Sequence, residues 1–198
     1  MNAMALSTKR ETSTAYHEAG HAVVGFWAGV PTRLIQVSIV PDPDAGTLGH
    51  VRRGKLPRVR DVELGDNGQP RHFYRDFDPA FDESRIVERQ LQPQVVECFG
   101  GVLAEKRFTG RRHNWAGAAS DMWMADRFIG YLTGSARQAQ KYSDYLWVVA
   151  DDLVSFHWPE IGALAGELAM RKTMTGRDVK TFLWSSPTTD PLESLNPL

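Results

Sequence analysis

"AYHEAGHAVVG", residues 15–25, sets two histidines four positions apart around a glutamate, in a run that otherwise suits a helix interior. On a helix, residues i and i+4 stack on one face, so His17 and His21 can turn imidazole nitrogens toward a single ion. Glu18 lies about 100° further round, within reach of a water activated by that ion without being a ligand itself. Metal-assisted hydrolysis of an amide asks for this set: the ion lowers the pKa of a water to roughly 7, and a carboxylate removes its proton. In a chain of 198 residues with 6 His and 10 Glu, about 0.01 such HExxH patterns arise by chance. The bland alternative is a helix with two core histidines whose hydrogen bonds are satisfied. Ala15, Ala19, Ala22, Val23, Val24, Phe26 and Trp27 supply a buried flank, and Ser13 or Thr14 is expected to cap the helix start.

The whole chain bounds what such a site can belong to. Its 198 residues are enough for one domain with a real core, and 42% hydrophobic with 24% charged residues is ordinary for a soluble globular protein. A net charge of −1 argues against a strong pull toward nucleic acid or anionic membrane. "HVRRGKLPRVR", from residue 50, is basic, but Asp61, Glu63 and Asp66 follow it, so it reads as a solvated loop or hairpin arm. A single cysteine, Cys98, makes no intramolecular disulfide and reads as a buried small hydrophobe. The chain suits a reducing compartment, and a cytoplasmic location is expected. "MNAMALSTKRETS" has no apolar run long enough for a signal peptide, and nowhere do 18 apolar residues follow one another, so no membrane span is expected.

Periodicity places the remaining elements. The first dozen residues are polar and are expected to form a loose tail. Gly29 and Pro31 stop the first helix, and the β-branched "RLIQVSIV" (33–40) predicts a strand. "PDPDAG" turns the chain, and "TLGHVRR" (47–53) predicts its returning partner. Residues 54–80, rich in Gly, Pro, Arg and Asp, predict an irregular insertion. "DESRIVERQLQPQVVECFGG" predicts a helix broken or kinked at Pro93, with Gly100-Gly101 serving close helix packing or a turn, and "VLAEKRF" a short helix after it. Further helices are expected over 120–132, capped by Ser120, over 143–157, from Pro159, and after Thr175. The Pro-rich stretch from Ser185 is expected to be loose. The fold class is mainly α (α+β), with a small β-hairpin or sheet near residues 33–53.

Catalytic zinc usually takes three protein ligands and keeps a position for water. HExxH supplies two, and the HExxHxxGxxH pattern fails because residue 27 is Trp. Candidates for the third are His50, His72, His113, His157, Glu97, Glu105, Asp121, Asp126, Asp151 and Asp152. Asp121 has a local advantage: it opens a helix after "NWAGAAS", where small residues permit close approach. It also suits an acid that merely favours a helix N-terminus.

The landmarks "YHEAGHAVVG", "VSIVP…TLGHV", "FGGVLAEKRFTG" and "AGAASDMWMADRF" follow one another as in the peptidase domain of FtsH-type ATP-dependent zinc metalloproteases, which the chain resembles from about Ser13 to about Phe182. "YSDYL" and "MTGRDV" are similar to stretches near that domain's end. The first motif is highly specific; the others carry weight by order and spacing. The resemblance implies a helical metallopeptidase domain over 13–184, with the insertion 54–80 and flexible tails at 1–12 and 185–198. It implies Zn2+ as cofactor, His17, His21 and Asp121 as ligands, and Glu18 as catalytic base. The family's "TGASND" reads "AGAASD" here, keeping the aspartate and losing the threonine.

No GxxxxGK[ST] phosphate loop occurs in these residues, so the expectation is a stand-alone peptidase acting on unfolded polypeptide or peptides. A homo-oligomer or a separate ATPase partner is compatible with that reading. By the same resemblance the strand around Thr47–Val51 is expected to receive an extended substrate by edge pairing; no residue is assigned to the oxyanion, and His50 and His113, the candidates for it, read more simply as exposed surface histidines. The competing class is a non-catalytic, zinc-stabilised binding or regulatory module, against which the intact Glu18 speaks. A different HExxH hydrolase would draw its third ligand from Glu97 or Glu105.

Overall fold

The histidine pair sits in a helix of 25 residues, α1 (Ala3–Trp27), in a computed structural model that describes residues 3–44, 46–54, 83–110 and 118–185. Expectations for the 54–80 insertion beyond Gly54, for His72 and His113, and for the stretch after Ser185 lie outside the described residues. α1 begins at Ala3, ten residues ahead of the expected cap. The segment from Ala3 to Thr14 contains neither Gly nor Pro, so nothing interrupts propagation from the strongly helical core. Thr14 is therefore interior, its hydroxyl donating to the Arg10 carbonyl at 3.1 Å. Glu11, expected in a loose tail, pairs with Lys172. α1 ends where expected, and Gly29 adopts φ +75, a left-handed conformation that glycine takes without strain.

β1 (Leu34–Ser38) and β2 (His50–Arg53) form the expected antiparallel pair, with Val37 opposite Val51 and Ser38 opposite His50. A third strand, β3 (Thr173–Thr175), pairs antiparallel with β1 on its other side, giving the order β2-β1-β3. Three residues are too few for an alternation to show, which is why β3 was not expected.

α2 (Glu83–Thr109) joins what the periodicity divides into two helices. Pro93 lies inside it, and the Gln94 side chain donates to the Gln90 carbonyl at 2.7 Å on the turn the proline disturbs. Gly100-Gly101 forms no turn. It serves the packing of α2 on α1: a Cβ on Gly20 would fall 2.6 Å from the Gly100 carbonyl oxygen, so the two backbones meet almost directly.

α3 (Ala119–Leu132) starts without a side-chain cap, Ser120 lying inside its first turn. α4 (Ala136–Phe156) begins seven residues ahead of Ser143, capped by Ser135, whose hydroxyl accepts from the Gln138 N–H. α5 (Trp158–Arg171) has Pro159 in its first turn as expected, and α6 (Gly176–Ser185) follows β3 directly. Among the described residues the protein is mainly helical with one small antiparallel sheet. Its core combines Ala15, Ala19 and Val23 of α1 with Val95, Phe99 and Leu103 of α2, and Leu146, Ile161 and Leu164 of α4 and α5. α1 packs chiefly on α2 and α5, and α2 carries α3 and α4 on its other flanks. No helix among the described residues is long and apolar enough to cross a membrane.

Candidate metal centre

His17, Glu18 and His21 occupy adjacent positions in the middle of α1. The two histidines turn their Nε2 atoms together at 3.0 Å, with the rings nearly perpendicular at 83°. Asp121, in the first turn of α3, brings Oδ2 to 3.0 Å from His17 Nε2 and 3.4 Å from His21 Nε2. The three donor atoms lie within 4.8 Å of one another. Two imidazole nitrogens and one carboxylate oxygen form a donor set that suits zinc and leaves a fourth position free. His21 and Glu18 are buried, while His17 and Asp121 keep 12% and 20% of their side chains exposed, so the cluster opens to solvent on one side.

The far nitrogens of both rings are held by α2, which runs antiparallel to α1. His21 Nδ1 lies 2.8 Å from the Glu97 carbonyl oxygen, so its N–H donates there and the Nε2 lone pair faces the cluster. His17 Nδ1 lies 3.2 Å from Glu105 Oε2, and the Ser13 hydroxyl donates to Glu105 Oε1 at 2.9 Å. Between these two contacts stands Gly101, where a Cβ would fall 2.3 Å from His21 Nε2; only a hydrogen fits there. Glu97, Gly101 and Glu105 follow one another at intervals of four, a single stripe of α2 that backs both histidines.

Glu18 points to the sheet. A Cβ at Gly49, just ahead of β2, would lie 2.7 Å from Glu18 Oε1, so glycine at that position makes the room. Burial pushes the Glu18 carboxyl up from its ordinary value, against the lowering influence of His21 and His17. Burial works against a charged His17, but its hydrogen bond to Asp121 and the Glu105 carboxylate 3.2 Å from Nδ1 outweigh it and push the imidazole up to about 10 in the metal-free protein. His21 is raised too, its burial outweighed by the charge of Asp121. Burial likewise opposes ionisation of Asp121, yet the charge of His21 and hydrogen bonds from both histidines hold it well below the usual carboxylate range.

The other candidates for third ligand are placed elsewhere or differently. Glu97 takes Arg53, whose Nε donates to Oε1 at 2.6 Å; burial still raises its carboxyl despite that arginine. Glu105 meets His17 on the nitrogen that faces away from the cluster. His157 pairs with Glu160 under the stacked ring of Trp27. His50 lies in β2, and Asp126, Asp151 and Asp152 are exposed on α3 and α4. Cys98 is largely buried, and burial raises its thiol, as suits a packing residue. The supporting roles of Gly101 and Glu105 escaped the sequence reading, although the interval of four from Glu97 was its visible trace.

No protein-family model matches the chain. It is 24% identical over 204 aligned positions, 91% of its length, to the ATP-dependent zinc metalloprotease FTSH 11 of Arabidopsis thaliana. It is 29% identical over 62% of its length to the ATP-dependent zinc metalloprotease FtsH of Haemophilus influenzae. Over 68% of its length it is 28% identical to the mitochondrial inner membrane i-AAA protease supercomplex subunit YME1 of Saccharomyces cerevisiae. The matched region spans between 14% and 22% of the lengths of these relatives. The chain is thus similar, at low identity, to zinc metalloproteases of the FtsH family.

Proposed function

We propose that the chain is a zinc-dependent metallopeptidase that hydrolyses peptide bonds in unfolded proteins or short peptides. His17, His21 and Asp121 are its metal ligands, Glu18 is its general base, and the peptidase unit spans residues 13–184. The observation that carries this reading is the approach of three donor atoms to within 4.8 Å beside a buried glutamate, in a chain similar to zinc metalloproteases. Bound there, Zn2+ supplies Lewis acidity that makes a water acidic and polarises a carbonyl. The chain supplies the rest.

His21 is fixed as a donor by the hydrogen bond of its Nδ1–H to the Glu97 carbonyl, and His17 by the Glu105 carboxylate on its far side. Glu18, with its carboxyl raised by burial, takes the proton of the attacking water and returns it to the leaving amine. β2 is one edge of the sheet, the one beside Gly49 and Glu18, and its outer side carries no strand among the described residues. An extended peptide adding to that edge passes Gly49, and so Glu18, with its scissile bond held by main-chain hydrogen bonds.

The test is cleavage of unfolded casein by the purified chain, with and without chelator, beside Glu18→Gln. The expected result is chelator-sensitive cleavage that Glu18→Gln slows by about 10²–10⁴-fold while bound zinc is retained. Absent cleavage, or equal cleavage by the variant, overturns the proposal.

A further inference from the structure

A cavity of about 750 Å³ opens at the C-terminal end of α1, between the segment from Val30 to Leu34 and α6. Its volume falls in the range of roughly 300–1,000 Å³ typical of small-molecule pockets. The charge of its wall is one-sided. Arg33, Arg177, Lys180 and Arg53 line it, and no carboxylate among the described residues does. Arg53 is engaged with Glu97 and with the Thr32 carbonyl. Arg33, Arg177 and Lys180 are exposed and form no ion pair among the described residues.

One further feature points to an occupant. At the mouth stands Trp184, 69% exposed, braced edge-to-face by Phe26 at 5.4 Å. A large exposed indole beside three cations without an ion pair among the described residues offers a stacking face next to an anion site.

We propose that this cavity binds a small organic anion with an aromatic body. Arg33, Arg177 and Lys180 hold its phosphate or carboxylate, and Trp184 stacks on its ring. The site is separate from the histidine cluster and does not depend on peptidase activity.

Calorimetric titration of the full chain tests it, with adenosine monophosphate as the aromatic phosphate and 2-naphthoate as the aromatic carboxylate. Adenosine, inorganic phosphate and an oligoglutamate peptide serve as comparisons. Saturable binding of at least one aromatic anion is expected, and which one binds distinguishes phosphate from carboxylate recognition. Arg177→Glu with Lys180→Glu, both on exposed positions of α6, is expected to weaken binding about tenfold or more. Trp184→Ala is expected to weaken it several-fold, with circular dichroism unchanged. Failure of both aromatic anions to bind overturns the proposal, as does binding that survives the double charge reversal unaltered. Equal affinity for inorganic phosphate means an adventitious ion only, equal affinity for adenosine means no anion site, and tighter oligoglutamate binding means a peptide-docking surface; each rejects the assignment.

Discussion

Glu105 Oε2 stands 3.2 Å from His17 Nδ1, on the side of the ring opposite Asp121. The imidazole is thus held between two carboxylates, one fit to share a metal with it and one behind it. A carboxylate behind a ligating histidine fixes the ring and raises its basicity. Glu105→Gln keeps the shape and removes the charge. Its zinc affinity, measured by competition with a chelating dye, is expected to fall about 10–100-fold, and the chelated protein is expected to lose some stability below pH 6.5, because one of the two carboxylates that favour a charged His17 is gone. Unchanged affinity would show that Glu105 only packs.

Asp121→Ala removes the one donor that comes from outside α1. Stoichiometric zinc is expected to be lost on dialysis while circular dichroism keeps its helical form, because Asp121 retains solvent exposure and fills no core space. A variant that holds one zinc per chain as firmly as the parent would transfer the third ligand to another residue.

Gly101→Ala adds a methyl group where a Cβ would meet His21 Nε2 at 2.3 Å. It is expected to displace His21, abolish zinc binding and cost about 1–3 kcal/mol of stability. Gly166→Ala, in α5 with nothing within 4 Å of its added carbon, isolates the helix-propensity gain. It is expected to be neutral or to stabilise by about 0.4–1 kcal/mol. Thermal melts of the two variants side by side decide the matter; equal effects would mean that the close approach at Gly101 relaxes freely.

Metal and protons compete at this cluster. His17 is raised from 6.5 to about 10 in the metal-free fold, and His21 is raised as well, whereas a ligating imidazole must be neutral. Zinc uptake at pH 7 therefore releases protons, and the calorimetric heat is expected to vary with the ionisation enthalpy of the buffer. For stability the sign is fixed by the same direction. A raised folded value gives His17 a contribution that is present below pH 6.5 and disappears as pH climbs through about 10. Asp121, lowered from 3.8, contributes above that value and loses its contribution as pH falls below it. Urea melts of the chelated protein are expected to give higher stability at pH 5.5 than at pH 9.5. Stability that rises over that interval would contradict the charge pairing.

The helical pair His17 and His21, the hairpin of β1 with β2 and the helix beginning near Asp121 were legible because each rests on local spacing. The start of α1 was misjudged because a polar surface run reads like a tail, although Glu11 meets Lys172 across 161 positions. Of the break or kink that Pro93 predicts, the break does not occur, since a single-residue rule does not register the long helical run that carries the chain through it. The choice among ten candidate third ligands was not legible from periodicity, because the approach of α3 to α1 depends on how both pack against α2. What local spacing did contain, unread, was the stripe of Glu97, Gly101 and Glu105.

The meeting of Gly20 with Gly100 gives the centre an unusual kind of anchor. Side chains that separate two helices can swivel to absorb a neighbour's change; peptide groups in direct apposition have no such latitude. The spacing between α1 and α2 is therefore set like a machined seat, and the imidazoles inherit their positions from covalent geometry. Substitutions elsewhere in the core should alter how firmly this seat is clamped long before they alter where it lies.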